Sequence, residues 1–295
     1  MKRKVLFIIN PIAGGKKKDD VPDLIARNLD QSIFDYTIVY TDGADHAKTI
    51  ATDSINKIDM VVAVGGDGTI NEVATGIVGS DTVLGVLPYG SGNGLSRFLG
   101  VPMSPKQAII NLNRWHVETI DAGQADGEWF FNMAGMGFDA HIAEVFAHSE
   151  KRGFFTYVKS AFAEVIKYKA DKYQIDIDGK PYKREAYMLS IANSSQYGNN
   201  AHVSPDASVQ DGLLDVCIIK PFPLWRFIEL GIRMFTKTAK GTKYLEIIRG
   251  KHIIITRSHE GPMHLDGEPR IAGASVEIKV APASLRIIAG PSYKK

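Results

Sequence analysis

The sequence predicts a doubly wound α/β domain followed by an antiparallel β domain, and three observations predict it. Through the first third, apolar runs of strand length alternate with helical stretches. Residues 60–64 are apolar without a break, as in a strand covered on both faces within a parallel sheet. After Asp121 the pattern changes to short runs, several with period-two alternation, separated by Gly, Pro and Asp turns. The expected domains are residues 1–122 and 123–295, with the last strand free to return to the first domain.

In order, residues 4–9 read as a strand, Asn10-Pro-Ile-Ala-Gly-Gly15 as a loop, and 21–29 as a helix. Residues 36–40 form a second strand and 44–55 a second helix. The central strand at 60–64 ends in Gly65, Gly66 and Gly68, after which Thr69 or Asn71 caps a helix running through Glu72, Val73, Ala74 and Ile77. Residues 83–87 form a fourth strand, then come Pro88-Tyr-Gly-Ser-Gly-Asn-Gly94 and a helix over 95–99. In the second half, strands are expected at 174–178, 186–192, 214–220, 252–256, 275–280 and 284–289. Helices are expected near 154–168 and over 224–238.

Three glycine-rich loops, at 10–15, 65–69 and 90–94, each follow an apolar strand. In a doubly wound sheet, ligands are expected beyond the carboxyl ends of the strands. Glycine lets the backbone take positive φ and lie against a ligand with no Cβ in the way. A helix N-terminus placed just after it turns free N–H groups and partial positive charge toward one spot, which suits phosphate. One such loop is also explained as a tight turn; for three, a nucleotide polyphosphate is the economical ligand. Asp67 sits among these glycines. A carboxylate there repels phosphates unless a cation such as Mg²⁺ lies between, or unless it accepts from a sugar or a neighbouring side chain.

Composition narrows the classes. Lys and Arg number 35 against 33 Asp and Glu, a balance that argues against a nucleic-acid binder. The single cysteine, Cys217, rules out an internal disulfide framework and, lying in an apolar run, reads as core. Lys2-Arg3-Lys4 precedes an apolar run too short for a signal peptide, and no run reaches membrane-spanning length. The expected location is therefore cytoplasmic. No Cys/His cluster has zinc spacing. His46 and His264 read as solvated surface histidines. The first strand leads into Asn-Pro and not Gly-x-Gly-x-x-Gly, which argues against a redox dinucleotide fold.

Taken together, Asn10-Pro-Ile-Ala-Gly14, Gly65-Gly-Asp-Gly-Thr-Ile-Asn71, Pro88-Tyr-Gly-Ser-Gly-Asn93 and the late Leu265-Asp-Gly-Glu268 resemble the signature set of the diacylglycerol kinase catalytic family. That family includes soluble bacterial lipid kinases and the sphingosine and ceramide kinases. The resemblance runs end to end and in order. It implies an N-terminal domain like those of NAD kinase and phosphofructokinase, a C-terminal β-sandwich, and an active site in the cleft between them.

By the same resemblance, ATP is lined by Asn10, Pro11, Ile12, Ala13, Gly14, Thr41, Gly65, Gly66, Asp67, Gly68, Thr69, Ile70, Asn71 and Ser91. Asp67 belongs to the Mg²⁺ and phosphate network, and Asp121 matches an acidic position near it. Glu268, with Asp266 beside it, is the base that takes the lipid hydroxyl proton. Asp211 with the carbonyls of Ser208 and Leu213 matches a second, structural Mg²⁺ site. The residues alone leave alternatives: Asp266-Gly267 is also a hairpin turn, and Asp211-Gly212 a turn between strands. Gly94 stands where many bacterial diacylglycerol kinases have Asp, which leaves sphingoid bases, diacylglycerol and phosphatidylglycerol all open as substrates.

Phosphoryl transfer to an alcohol needs clamped phosphates, a divalent ion and a carboxylate near the attacking hydroxyl. The expected activity is thus an ATP- and Mg²⁺-dependent lipid kinase. A NAD kinase-like ribose kinase and a non-catalytic, nucleotide-gated lipid-binding protein are the alternatives. Expected partners are a lipid substrate and, transiently, a membrane surface; a homodimer is left open. In the 224–238 helix, Leu224, Ile228, Ile232 and Phe235 share one face, with Arg226, Glu229, Arg233, Lys237 and Lys240 opposite. That profile fits an interfacial helix or one that docks its apolar face on the β domain. Residues 154–168 have similar character.

Overall fold

The computed structural model describes residues 2–15, 17–147 and 164–294. The chain falls into two units, Met1–Ile120 with Ala283–Lys295, and Asp121–Pro282. The expected helix near 154–168 lies outside the described residues except for its last five.

The first unit has the predicted alternation: β1 (Arg3–Ile9), α1 (Val21–Asn28), β2 (Phe34–Tyr40), α2 (His46–Ser54), β3 (Met60–Gly65), α3 (Asp67–Ile77), β4 (Val83–Pro88) and α4 (Gly94–Phe98). The strands run parallel in the order β2-β1-β3-β4. Every residue of β3 and β4 is buried, as an unbroken apolar run in the middle of a parallel sheet requires. Val5, Phe7, Val62, Val64 and Leu87 pack on Val21 and Ile25 of α1 and on Ile109 and Leu112 of α5 (Pro105–Leu112). The sequence reading missed α5. Its signal was present, because Ser104-Pro105 puts proline at the first helical turn, where its missing N–H costs nothing.

One predicted helix start is corrected. Neither Thr69 nor Asn71 caps α3: the helix begins at Asp67 behind Gly66, which places Thr69 and Asn71 inside its first turns. The cap at α2 comes from a distance. Glu72 on α3 accepts the Ala47 N–H at 3.1 Å. Burial pushes its carboxyl above the usual range, although the N–H groups of Asp45, Ala47 and Lys48 pull it down. Glu72→Ala is expected to destabilise the protein by about 1 kcal/mol, the ordinary worth of a lost cap. Glu72→Gln keeps an acceptor without the buried charge and should cost less, which chemical denaturation of the two variants will compare.

In the second unit, β5 (Val117–Ala125, shared with the first), β6 (Glu128–Phe130), β7 (Met133–Gly137), α6 (Phe138–Ala147), β8 (Asp171–Ile177), β9 (Lys180–Ala186), β10 (Met188–Ala192) and β11 (Leu214–Ile219) come first. Then follow α7 (Phe227–Phe235), β12 (Leu245–Gly250), β13 (His252–Thr256), β14 (Gly261–Leu265), β15 (Glu268–Ala272) and β16 (Ser275–Ile288). An antiparallel sheet in the order β12-β11-β10-β7-β14-β15 faces a second one in which β16, β13, β8 and β9 are neighbours. Between them pack Met136, Leu189, Val216 and Ile218 from one and Ile175, Ile253, Ile255 and Ile278 from the other. Cys217 is fully buried on the opposite face of β11, with Met133, Phe138 and Tyr187, and burial pushes its thiol up, consistent with a core role.

Here the sequence reading needs correction. The strands expected at 275–280 and 284–289 are one strand, because Ala281 to Ala283 continue it despite Pro282. The run expected at 186–192 divides between β9 and β10. β5, β6, β7, β12, β14, β15 and all of β9 before Ala186 were not expected. β7 reads Met-Ala-Gly-Met-Gly and is buried on both faces, so no period-two alternation marks it. The helix expected over 224–238 is a 3-10 turn, Leu224–Arg226, followed by α7.

Candidate active site

In the first unit the three glycine loops converge, and the glycines are what permits it. Gly14, at φ 68°, lies so close to the third loop that a Cβ would stand 1.9 Å from the Tyr89 carbonyl oxygen. A Cβ on Gly90 would come within 2.8 Å of the Gly66 Cα, and one on Gly65 within 2.4 Å of Thr69 Oγ1. The backbone stitches the same loops together: Asn10 N donates to the Val64 carbonyl at 3.1 Å, Tyr89 N to that of Gly65 at 2.7 Å, and Thr41 N to that of Ile9 at 2.9 Å.

Side chains complete the cradle. Asn10 Nδ2 donates to Thr69 Oγ1 at 3.1 Å, and Asn10 Oδ1 accepts the Ile12 N–H at 3.2 Å. Asp67 Oδ2 accepts from Asn93 N at 2.9 Å and its Oδ1 from Gly94 N at 3.0 Å. Asp67 therefore tethers the third loop, a partner the sequence reading did not foresee. Asn93 takes a left-handed conformation (φ 50°) to present that N–H. Among the described residues no side-chain cap hydrogen bond is made at the start of α3, and its first N–H groups, beside the converging loops, suit phosphate oxygens.

The remaining expected nucleotide residues divide. Thr69 and Ile70 are buried, Gly68 and Asn71 partly so, and Asn71 Oδ1 accepts from Thr75 Oγ1. Pro11, Ile12 and Ser91 are exposed and Ala13 is partly buried. Two residues were missed. Lys18 is 3% exposed, donates to the Ala13 carbonyl at 2.6 Å, and lies 5.2 Å from the centre of the Tyr89 ring. It thus fastens the first loop from behind. Burial, helped by Asp20, pushes the Tyr89 hydroxyl up to about 12. Within Lys16-Lys17-Lys18 nothing marks one lysine for burial, so the sequence carried no signal.

In the second unit, Asp266 (φ 51°) and Gly267 (φ 90°) form the two-residue turn between β14 and β15, with Leu265 facing Glu268 across it. Both central residues at positive φ is the geometry that selects Asp-Gly. The two carboxylates expected to act together are placed differently. Asp266 is 8% exposed, and its carboxylate accepts the N–H groups of Phe131, Asn132 and Met133, each at 2.9 Å. Glu268, the first residue of β15, is exposed. Of the pair, Glu268 is the one open to solvent.

Asp121 is buried and accepts the Gly212 N–H at 2.8 Å. Asp211 Oδ1 accepts the Leu213 N–H at 3.1 Å, and Arg249 stands 3.8 Å from Asp211 and 3.1 Å from Asp215. Ser208 Oγ accepts the Gln210 N–H. Arg249 is thus shared between Asp211 and the more closely held Asp215. Among the described residues no group of three or more His, Cys, Asp and Glu side chains has metal-site geometry. Mg²⁺ does not need one, since it is usually held by one or two carboxylates together with substrate phosphates.

Residues 4–125 match the model of the diacylglycerol kinase catalytic domain, and residues 132–289 that of the YegS C-terminal NAD kinase beta sandwich-like domain. The chain belongs to the diacylglycerol kinase catalytic-domain family. It is 28% identical over 290 residues to the diacylglycerol kinase of Bacillus subtilis (strain 168), covering 90% of each chain. A crystal structure of a diacylglycerol kinase from Bacillus anthracis str. Sterne has the same fold, with a TM-score of 0.77 at 23% identity, over 99% of this chain and 98% of that one. An NAD kinase from Archaeoglobus fulgidus, solved in complex with ATP, is a more distant fold relative: TM-score 0.55, 12% identity, 98% of this chain and 94% of that one. The family, the kinase class and the two-part α/β and β-sandwich architecture expected from the motifs are thereby established.

Proposed function

We propose that this lipid-kinase family member is ATP- and Mg²⁺-dependent and transfers the γ-phosphoryl group to the hydroxyl of a membrane lipid. The observation that carries the reading is the convergence of Gly14, Gly66 and Gly90 beside the uncapped start of α3. Backbone N–H groups there bind phosphate oxygens at no cost in side-chain ordering. Asp67 would help hold Mg²⁺, which would supply positive charge to neutralise the phosphates. Glu268 accepts the hydroxyl proton as the lipid oxygen bonds to the γ-phosphorus. The bond from that phosphorus to the bridging oxygen breaks, and ADP leaves. Asp266 fixes the turn that carries Glu268. Asp211, with the backbone carbonyls of Ser208 and Leu213, would hold a second, structural Mg²⁺.

Thin-layer chromatography of products from γ-labelled ATP tests this, with diacylglycerol, a sphingoid base, phosphatidylglycerol and NAD offered in parallel. Label in a lipid supports the proposal. Label only in NAD would assign a ribose hydroxyl, and binding of ATP and lipid without turnover would make the protein a nucleotide-gated lipid binder.

Contact with the membrane is part of the same proposal, and α7 supports it. The face expected either to dock or to meet lipid is outward: Leu224 is 50% exposed, Ile228 59%, Ile232 57% and Phe235 46%, with the bordering Trp225 at 69%. The core is met by other residues, Leu230, Phe227 and Met234. Arg226, Glu229 and Arg233 pair on a third side. Among the described residues no helix is long and apolar enough to cross a membrane. Burying an isoleucine in an apolar phase is worth about 2 kcal/mol. Ile228→Ser with Ile232→Ser is therefore expected to cut vesicle co-flotation at least tenfold while leaving ATP binding unchanged. Equal flotation of variant and wild type would remove α7 from the membrane contact.

A further inference from the structure

His264 does not sit where the sequence placed it. It was expected at the solvated surface; it lies on β14 at 3% exposure. Its two ring nitrogens have distinct partners. Gly267 N donates to Nδ1 at 3.3 Å, while Nε2 lies 3.4 Å from Asp139 Oδ2. A backbone N–H can only donate, so Nδ1 is bare and the ring proton sits on Nε2, directed at Asp139.

Asp139, at the start of α6, is itself buried and multiply held. Its Oδ1 accepts the Ala140 N–H at 2.9 Å, and its Oδ2 accepts Ser190 Oγ and Tyr197 OH, each at 3.0 Å. Gly135, opposite His264 on β7, leaves the space in which the pair meets. A Cβ there would stand 2.3 Å from Asp139 Oδ2 and 2.4 Å from His264 Nε2. Burying an imidazole and a carboxylate is costly unless each finds its partners. Here the sequence of partners runs from the core of the sheet to one end point, the N–H of Gly267, which immediately precedes Glu268.

We propose that His264, oriented by Asp139, is a positioning residue that sets the direction of Glu268 by holding the Gly267 amide. The inference rests on the reading of Glu268 as the base, and it supplies what that reading lacks. An exposed carboxylate beside a glycine has a loose backbone unless something fixes the turn, and misplacement by about 1 Å is enough to cost a factor near 100 in rate. Asp266 anchors the turn through the chain at 131–133; His264 anchors its second residue.

Three variants discriminate. Asparagine sets an amide oxygen near the position of Nδ1, glutamine sets its amide near Nε2, and alanine supplies neither. His264→Asn is expected to keep kcat for lipid phosphorylation within about threefold of wild type, whereas His264→Gln and His264→Ala lose at least tenfold, with KM for ATP unchanged. Two further readouts do not depend on turnover. Nitrogen NMR of the wild-type ring should show a bare Nδ1 and a protonated Nε2, and hydrogen exchange at the Gly267 amide should accelerate in His264→Ala but not in His264→Asn. Loss of activity in His264→Asn equal to that in His264→Ala, a proton on Nδ1, or Gly267 exchange indifferent to His264 would overturn the proposal. Glu268→Gln run alongside separates the two claims. If it turns over normally, the base assignment falls, while the ring spectrum and the exchange rates still decide whether His264 holds the turn.

Discussion

Gly14→Ala is expected to weaken ATP binding about 100-fold, or about 2.7 kcal/mol, without unfolding the protein. A methyl group at this position would lie 1.9 Å from the carbonyl oxygen of Tyr89, so the first loop must withdraw from the third. The neighbouring glycine provides the control. Gly15 also has positive φ, 63°, but a Cβ there meets nothing within 4 Å. Gly15→Ala therefore incurs the same left-handed backbone strain, about 1 kcal/mol, without parting the loops. Calorimetric titration of both variants with ATP should show binding lost in the first and kept in the second. Equal affinities in the two would mean that the closeness of the loops has no part in holding nucleotide.

Glu268→Gln is expected to lower kcat between 10² and 10⁴-fold, the usual worth of a positioned general base. KM for ATP and thermal stability should not change, because the side chain is exposed. Asp266 is expected to behave in the opposite manner. Its carboxylate receives three buried N–H groups, and hydrogen bonds to a charged group are worth about 1.5 kcal/mol or more each. Asp266→Ala should therefore be destabilised by about 3 kcal/mol or more before any effect on chemistry is measured. Steady-state kinetics with denaturant unfolding on both variants will show whether the two carboxylates divide between chemistry and scaffold. A stable Asp266→Ala enzyme with normal KM and no turnover would return Asp266 to direct chemistry.

The contrast between these neighbours shows what the sequence could and could not carry. Strand β3 and the glycines after it were legible because backbone sterics permit few arrangements for an apolar run ending in Gly-Gly-Asp-Gly. The alternation of strands and helices in the first unit, and with it a parallel sheet, was legible too, but not the order of its strands. Partners were not legible, because they are set by side chains far apart in sequence. Asp67 meets Asn93 and Gly94, Asp266 meets residues 131–133, and His264 meets Asp139. Local pattern also failed where glycines interrupt a short buried strand, as in Met-Ala-Gly-Met-Gly of β7, or where proline lies within a long strand, as in β16. Lys18 shows the same limit: three lysines in a row look alike until a loop closes over one of them.

The phosphate grip is the physical core of the functional reading, and equilibrium titration with adenosine, AMP, ADP and ATP in the presence of Mg²⁺ tests it most directly. Affinity is expected to rise stepwise with each added phosphate, and that rise should vanish in Gly14→Ala. Adenosine binding as tightly as ATP, or a phosphate dependence that survives Gly14→Ala intact, would contradict it.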